Sequence, residues 1–390
     1  MSYFGFNKDF DSTLENVSVI KIDSLVGSKE TDNKVDNAIN INIDIKKKSA
    51  VSRIKKTIFD LGQTLVFPDR GMFWYPKVKA YLDENPELIN KSDVVISLSP
   101  MINNHRIARY IKTKKSSIKW IADFSDFHYV DGWEYKKGIK KNLHKRLEKS
   151  IIKGATNVNF VTKTMLNAYQ KFYAEDSKKM KCVYNGFDHA DFPDNIDKLQ
   201  DNQILTFFYA GTFYDGLRSP FPLLQLLDRG IKENLIDPGK IKIQIAGNIE
   251  AHVKLEMENY LSFQCIDFLG SLPRAEVVKY MVKSTFLWLI VANIKSHYQT
   301  IPIKLFEYIA ARRPIVNFAP EISEPSQIID EKKLGYNFNT LDFDIDKSYS
   351  IFKTMINDFK NDKFLEPLSE EGLDEFTWQK QIKILENILQ

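Results

Sequence analysis

The chain has 390 residues, 43% of them hydrophobic and 27% charged, with two cysteines and a net charge of +4. That length suggests two or three domains, and that composition excludes a wholly disordered chain, a collagen-like fibre and a disulfide-stapled scaffold. The net charge hides an asymmetry: residues 1–195 carry 33 Lys and Arg against 24 Asp and Glu, and residues 196–390 carry 22 against 27.

The basic half suits an acidic partner, either nucleic acid or an anionic membrane; a chance spread of solvated charges is the other reading. Cys182 and Cys265 stand far apart, which fits a reducing compartment. The first residues are polar and show no secretory pattern. The longest apolar run, 286–292, is too short to span a bilayer.

In chain order, the first strand is predicted at 17–23, followed by a stretch at 27–48 rich in Asn, Asp and Lys that reads as a long loop. Strands follow at 94–99 and 118–124. The second ends in Asp123, Phe124, Ser125, Asp126, Phe127 and His128. Two carboxylates and a histidine at a strand's end suit acceptor alignment or proton transfer, although Asp126 also reads as a helix cap.

Residues 135–154 hold eight Lys and Arg and one acid, Glu148. Ile139, Leu143, Leu147 and Ile151 recur every four residues, so a helix with an apolar core-facing stripe and a basic outer face is predicted. Such a face also suits anionic lipid. Aromatics are not interleaved with the basic run, which argues against nucleic acid. Strands at 157–162 and 181–184 complete the first half. A polar stretch at 192–202 is the predicted hinge.

The second half repeats the alternation, with strands at 205–210, 242–246, 266–269, 286–291 and 314–318. Strand–helix alternation predicts parallel sheets covered on both faces. The fold class is α/β, with two similar-sized, doubly wound Rossmann-like domains, 1–195 and 196–390, and a ligand cleft between them.

After 205–210 come Gly211, Thr212, Gly216 and Arg218, a set in which two glycines suit a tight turn and close backbone approach and the arginine suits a phosphate; an ordinary strand–helix loop fits too. After 266–269, Ser271 and Leu272 offer backbone groups to a flat base. A helix is then predicted from about 274.

A further helix runs from Thr300, as N-cap, through Pro302 to about Arg312, with Leu305, Tyr308 and Ile309 facing the core. Lys304 in its first turn opposes the helix dipole. Either an anion docks there, or Lys304 pairs on the surface with Glu307 at i+3. A docked terminal helix is predicted over 376–389. No phosphate-binding P-loop, nucleophile elbow or zinc spacing occurs, and Lys347 spoils a calcium-loop start at 342–346.

Taken together, these segments resemble the GT-B, two-Rossmann-domain glycosyltransferases, in particular the family 4-like group that uses nucleotide-diphosphate sugars. The matching stretches are Pro68-Asp69-Arg70 with Trp74, the strand end 118–126, Val183 to Asp188, Tyr209 to Thr212, Phe268 to Leu272, and Ile301 to Tyr308 with Arg313-Pro314. The Asn-Gly-Phe-Asp and Ile-Pro-x-Lys-x-x-Glu-Tyr stretches are the most specific.

The resemblance implies that Glu307 binds ribose hydroxyls and that Lys304 and Arg218 hold the diphosphate. It puts Gly211 and Thr212 near the phosphates, Ser271 and Leu272 beside the base, and Asp126 near the transferred sugar and acceptor. It implies no metal and no cofactor beyond the donor, a glycan or lipid-linked acceptor and, as in most of the group, retained configuration; together with the basic first half it points to surface-polysaccharide synthesis at a cytoplasmic location with peripheral contact at the inner membrane face.

This sequence departs from the group's pattern at three places. Gln299 stands where the group's E-x7-E pattern has its first acid, and Ser125 replaces the strand-end arginine. The group's first strand and glycine-rich turn have no match before Val17. A catalytically incomplete binding or scaffold subunit is therefore the alternative function.

Overall fold

In the computed structural model, the described residues are 67–130, 138–196, 203–213 and 217–389, together with Ile20, Ile22 and Lys198. The predicted strand at 17–23 and the loop at 27–48 fall outside them, apart from Ile20 and Ile22. By internal packing the chain divides into two compact units, Met1–Trp120 and Ile121–Gln390.

In the first unit, helices α1 (Tyr75–Glu84) and α2 (Pro86–Asn90) precede strand β1 (Val94–Leu98) and helix α3 (Ile102–Lys114). Asp69 organises the entry: its carboxylate accepts from Gly71 N at 2.7 Å and from Asn103 Nδ2 at 2.6 Å. Trp74 Nε1 donates to the carbonyl of Ile22 at 2.8 Å. Trp120 Nε1 donates to Ser97 Oγ at 2.8 Å, and the same hydroxyl is hydrogen-bonded to His105 Nδ1 at 2.7 Å. Burial pushes His105 down to about 3, so it is a neutral structural imidazole.

Strand β2 (Lys119–Phe124) crosses from the first unit into the second. Helix α4 (Gly138–Gly154), β3 (Asn157–Phe160), α5 (Lys163–Phe172) and β4 (Met180–Cys182) follow, giving the sheet order β1-β2-β3-β4. β2, β3 and β4 pair in parallel, with Asp123 opposite Asn159.

The buried side of α4 differs from the predicted stripe. Leu143 is 39% exposed, whereas His144 and Glu148 are buried. The reason is a polar network. The Glu148 carboxylate accepts from Tyr129 N at 2.6 Å and from the hydroxyls of Tyr169 and Tyr173 at 3.0 and 2.8 Å. His144 Nδ1 meets His128 Nε2 at 3.1 Å. Satisfied bonds make the buried carboxylate tolerable, and they fasten the loop after β2 to α4.

The second sheet lies wholly beyond residue 196. Its elements are β5 (Leu205–Ala210), α6 (Phe221–Lys232), β6 (Ile241–Ala246), α7 (Ala251–Met257), β7 (Ile266–Gly270), α8 (Arg274–Lys283), β8 (Phe286–Ile290), α9 (Lys295–Tyr298), α10 (Ile303–Ala310), β9 (Ile315–Ala319), α11 (Glu324–Glu331), β10 (Gly335–Asn339), α12 (Ile345–Lys360) and α13 (Trp378–Leu389). The six strands are parallel and ordered β10-β9-β8-β5-β6-β7, the doubly wound 3-2-1-4-5-6 arrangement.

Strand periodicity sorts the core onto two faces. Phe207 and Tyr209 point to one cluster with Leu223, Leu227, Phe352 and Ile356. Phe208, Leu287 and Leu289 point to the other, with Met281, Leu305, Tyr308 and Ile329. Both faces are therefore covered by helices, as a parallel sheet requires.

The terminal segment packs against the Asn185-Gly186-Phe187-Asp188 stretch. Phe187 N donates to the Phe376 carbonyl at 3.0 Å, and Trp378 N donates to the Phe187 carbonyl at 2.9 Å. Tyr184 N donates to Gln381 Oε1 at 2.8 Å. Gln381 is thus the buried residue of α13, while Trp378 and Ile382 of the predicted apolar stripe are 41% and 48% exposed.

Candidate functional site

The carboxyl ends of β5 and β8 form the switch point of the second sheet, where open α/β sheets take ligands. These strands pair only at Phe207–Phe286 and Phe208–Leu287. Beyond that, the Tyr308 hydroxyl bridges them: it accepts from Ala210 N at 3.4 Å and donates to the Trp288 carbonyl at 3.2 Å. Tyr308 sits on α10, so this phenol fixes the helix against the split in the sheet.

Four residues before Tyr308, Lys304 lies on the same side of α10. Its Nζ donates to the Ala210 carbonyl at 2.6 Å and stands 4.6 Å from the Tyr209 ring centroid. Burial, and then the positive charge of Arg218, push its pKa down to about 7; Glu307 acts in the opposite sense. Burial and Arg218 also lower His297. Two cations and a histidine thus gather at the first turn of a helix whose N-terminus has no side-chain cap. Each feature favours an anion.

Glycines form the backbone above Lys304. Gly211 has φ +156°, and a Cβ there would lie 2.4 Å from Lys304 Nζ. Gly247, which follows β6, has φ +141°, and its Cβ would lie 2.2 Å from the Gly211 carbonyl oxygen. Gly211 N donates to the Ala246 carbonyl at 2.8 Å, and Gly247 N to that of Gly270 at 2.7 Å. Three neighbouring strand ends are thereby laced into one glycine rim. The Thr212 carbonyl accepts from Tyr209 Oη at 3.2 Å.

The helix start differs from the sequence expectation. Pro302 is the N-cap, and Thr300 Oγ1 donates to His297 O at 2.9 Å instead of capping α10. Leu305, Tyr308 and Ile309 are buried as predicted. Lys304 and Glu307 each have another partner, so they are not the surface pair that spacing allowed. Arg274 Nη1 donates to Glu307 Oε1 at 2.5 Å, and its Nη2 donates to Asp191 Oδ2 at 2.7 Å. Arg274 follows Ser271 and Leu272, which leave the end of β7, Ser271 exposed and Leu272 half-buried.

Asp126 is half-buried in the loop after β2, with no hydrogen bond or ion pair to another described residue. Burial raises it to about 6. Asp123 is also raised to about 6 by burial, with Asn159 opposing the shift. In both, burial disfavours the charged carboxylate. Among the described residues no group of three or more His, Cys, Asp or Glu could hold a metal ion.

The elements after β3 and β9 meet through a carboxylate. Glu324, 4% exposed, accepts from Lys163 N and Thr164 N at 2.9 and 2.8 Å and from Tyr184 Oη at 2.7 Å. Thr162 caps the same α5 helix and donates to the Gln299 carbonyl at 3.3 Å. Sequence reasoning missed Tyr308's bridging role, Gly247, Arg274 and Glu324. A glycine after a predicted strand was a readable signal for Gly247; the other three act through partners distant in sequence.

No protein-family model matches the chain, and no curated protein matches it in sequence at a significant level. Solved structures do match its fold. A sucrose-phosphate synthase from Thermosynechococcus elongatus aligns with a TM-score of 0.57 and 10% identity over 83% of this chain and 80% of that one. A glycosyltransferase from Rickettsia africae ESF-5 aligns at 0.56 and 14% over 79% of each chain. A putative UDP-N-acetylglucosamine 2-epimerase from Listeria monocytogenes aligns at 0.50 and 11%, over 83% and 80%. The likeness is one of architecture, that of the GT-B glycosyltransferases. One architecture can serve more than one activity, and a protein titled a putative epimerase stands among the matches.

Proposed function

We propose that this protein is a glycosyltransferase, moving a sugar from a nucleotide-diphosphate donor to a glycan or lipid-linked acceptor in surface-polysaccharide synthesis. The observation that carries the reading is the seat of Lys304: a buried amine bonded to the last carbonyl of β5, at an uncapped helix start, with Arg218 nearby and a glycine rim above. A diphosphate is the anion such a seat suits. Glu307 then meets the ribose, and Ser271 and Leu272 flank the base.

In this reading the sugar–phosphate bond breaks as negative charge builds on the departing diphosphate. Arg218, Lys304 and the amides opening α10 stabilise that charge, and a preorganised site does so without reorganisation. Asp126 acts beside the transferred sugar and acceptor, with configuration retained. Residues 1–195 serve the acceptor, and the basic outer face of α4 meets anionic lipid at the inner membrane face. Residues 196–390 bind the donor.

Titration with UDP-, GDP- and dTDP-sugars tests the reading. Binding of one class is expected, and its loss in Lys304→Ala and Glu307→Ala. Binding by none, or binding indifferent to both substitutions, would sink it. Donor binding without turnover by the purified chain would favour the scaffold alternative, which the neutral Gln299 motivates.

A further inference from the structure

Arg274 opens α8, three residues after Ser271, and its two guanidinium arms reach two different segments. One holds Glu307 Oε1 on α10 at 2.5 Å, and the other holds Asp191 Oδ2 on the turn His189–Asp191 at 2.7 Å. The Arg274 and Asp191 side chains are 57% and 45% exposed. Ion pairs that exposed contribute little stability. Their geometric effect is larger: a long glutamate side chain with several rotamers is held by one oxygen in one orientation.

The chemistry of the remaining acceptor sites is specific. Each carboxylate oxygen has two lone-pair sites. Arg274 takes one on Oε1, which leaves Oε1 a second and Oε2 both. A vicinal diol offers two O–H donors at matching separation. The guanidinium also bridges Glu307 and Asp191, its positive charge bonded to both carboxylates.

We propose that Arg274 is a positioning residue for the nucleotide ribose: tethered to Asp191, it orients Glu307 so that both ribose hydroxyls are read. This rests on the assignment of Glu307 to the ribose. It adds that hydroxyl recognition depends on a residue that touches no part of the substrate, and that Asp191, next to the predicted hinge, shares in it.

The test is calorimetric titration of the full chain with UDP, GDP and ADP, each against its 2′,3′-dideoxy form. Wild type is expected to prefer the hydroxyl-bearing form of its cognate nucleotide by about tenfold or more, as bonds to a charged acceptor allow. Arg274→Ala should cut that preference to about threefold or less while the dideoxy form binds within about twofold of wild type. Arg274→Lys should recover part of the preference, and Asp191→Ala should lose part.

Glu307→Ala separates the two ideas. If it leaves the preference intact, the ribose assignment fails and this proposal with it. If Glu307→Ala abolishes the preference but Arg274→Ala retains it, or weakens both forms equally, only the positioning role is overturned. Wild type without any preference overturns both. Arg274 is exposed, so its variants should fold, and melting curves check that.

Discussion

Lys304 Nζ donates to the carbonyl of Ala210 at 2.6 Å, so a primary amine is held beneath the Gly211 turn with a pKa near 7. The sign of its effect on stability follows. Its ordinary value is 10.5. Between these values the unfolded chain binds a proton that the folded chain does not, so stability rises with pH across that window. Lys304→Met should remove this slope, and its melting temperature relative to wild type should improve as the pH falls toward 7. Parallel melting curves that keep the same pH slope would contradict it.

A bound diphosphate should reverse the shift, because an adjacent anion favours the charged amine. Binding at pH 8 should then take up close to one proton and weaken as the pH rises further. Calorimetry in two buffers of different ionisation enthalpy measures the uptake. Uptake retained in Lys304→Met would assign the proton elsewhere.

Asp123 and Asp126, both raised to about 6, carry the opposite sign. The folded state keeps their protons from the ordinary carboxyl value of 3.8 up to about 6, so their stabilising effect is full below 3.8 and is lost as the pH rises through 6. Asp123→Asn should raise the melting temperature at pH 7 and leave it unchanged at pH 3.5. Asp126→Asn should fold as wild type and lose turnover, removing the limb of the rate profile near pH 6. Full turnover in that variant would clear Asp126 of a catalytic role.

The three strand-end glycines should respond in graded fashion. Gly247→Ala drives a Cβ to 2.2 Å from backbone, which cannot yield, so little folded protein is expected. In Gly211→Ala the close neighbour is the far end of Lys304, so the fold should survive with the anion seat displaced and nucleotide affinity lost. Gly270 has open space around its Cβ position and φ +66°, so Gly270→Ala should cost only about 1–2 kcal/mol. Soluble yield, melting temperature and diphosphate affinity separate the cases.

Glu324→Ala leaves two part-buried amides and a buried phenol without their acceptor. At about 1–3 kcal/mol for each unsatisfied group, a loss above roughly 3 kcal/mol in chemical denaturation is expected. Glu324→Gln keeps one acceptor oxygen and the volume, and should cost less than half as much. Equal losses would mean that packing, not the carboxylate, holds α5 to α11.

Legibility in the sequence followed burial. β5 stands where an apolar run predicts it, at 205–210. β10 was invisible because Gly335-Tyr336-Asn337-Phe338-Asn339 buries only Phe338 fully. Its Asn337 is accommodated by Asn317 Nδ2 at 2.8 Å on the neighbouring strand. Polar residues that belong to the interior defeated the pattern in the same way: Glu148 in α4 and Gln381 in α13 are buried by partners that periodicity cannot foresee.

The sequence by itself determined the alternation of strands and helices, the parallel sheets and the residue types around Gly211, Arg218, Lys304 and Glu307, because these follow from local hydrophobic period and turn chemistry. Only the tertiary structure decided how they are used. Spacing made Lys304 and Glu307 neighbours on one helix face. The fold separates their charges, sending the lysine under β5 and the glutamate to Arg274, because the partners that satisfy them lie 94 and 33 residues away in the chain.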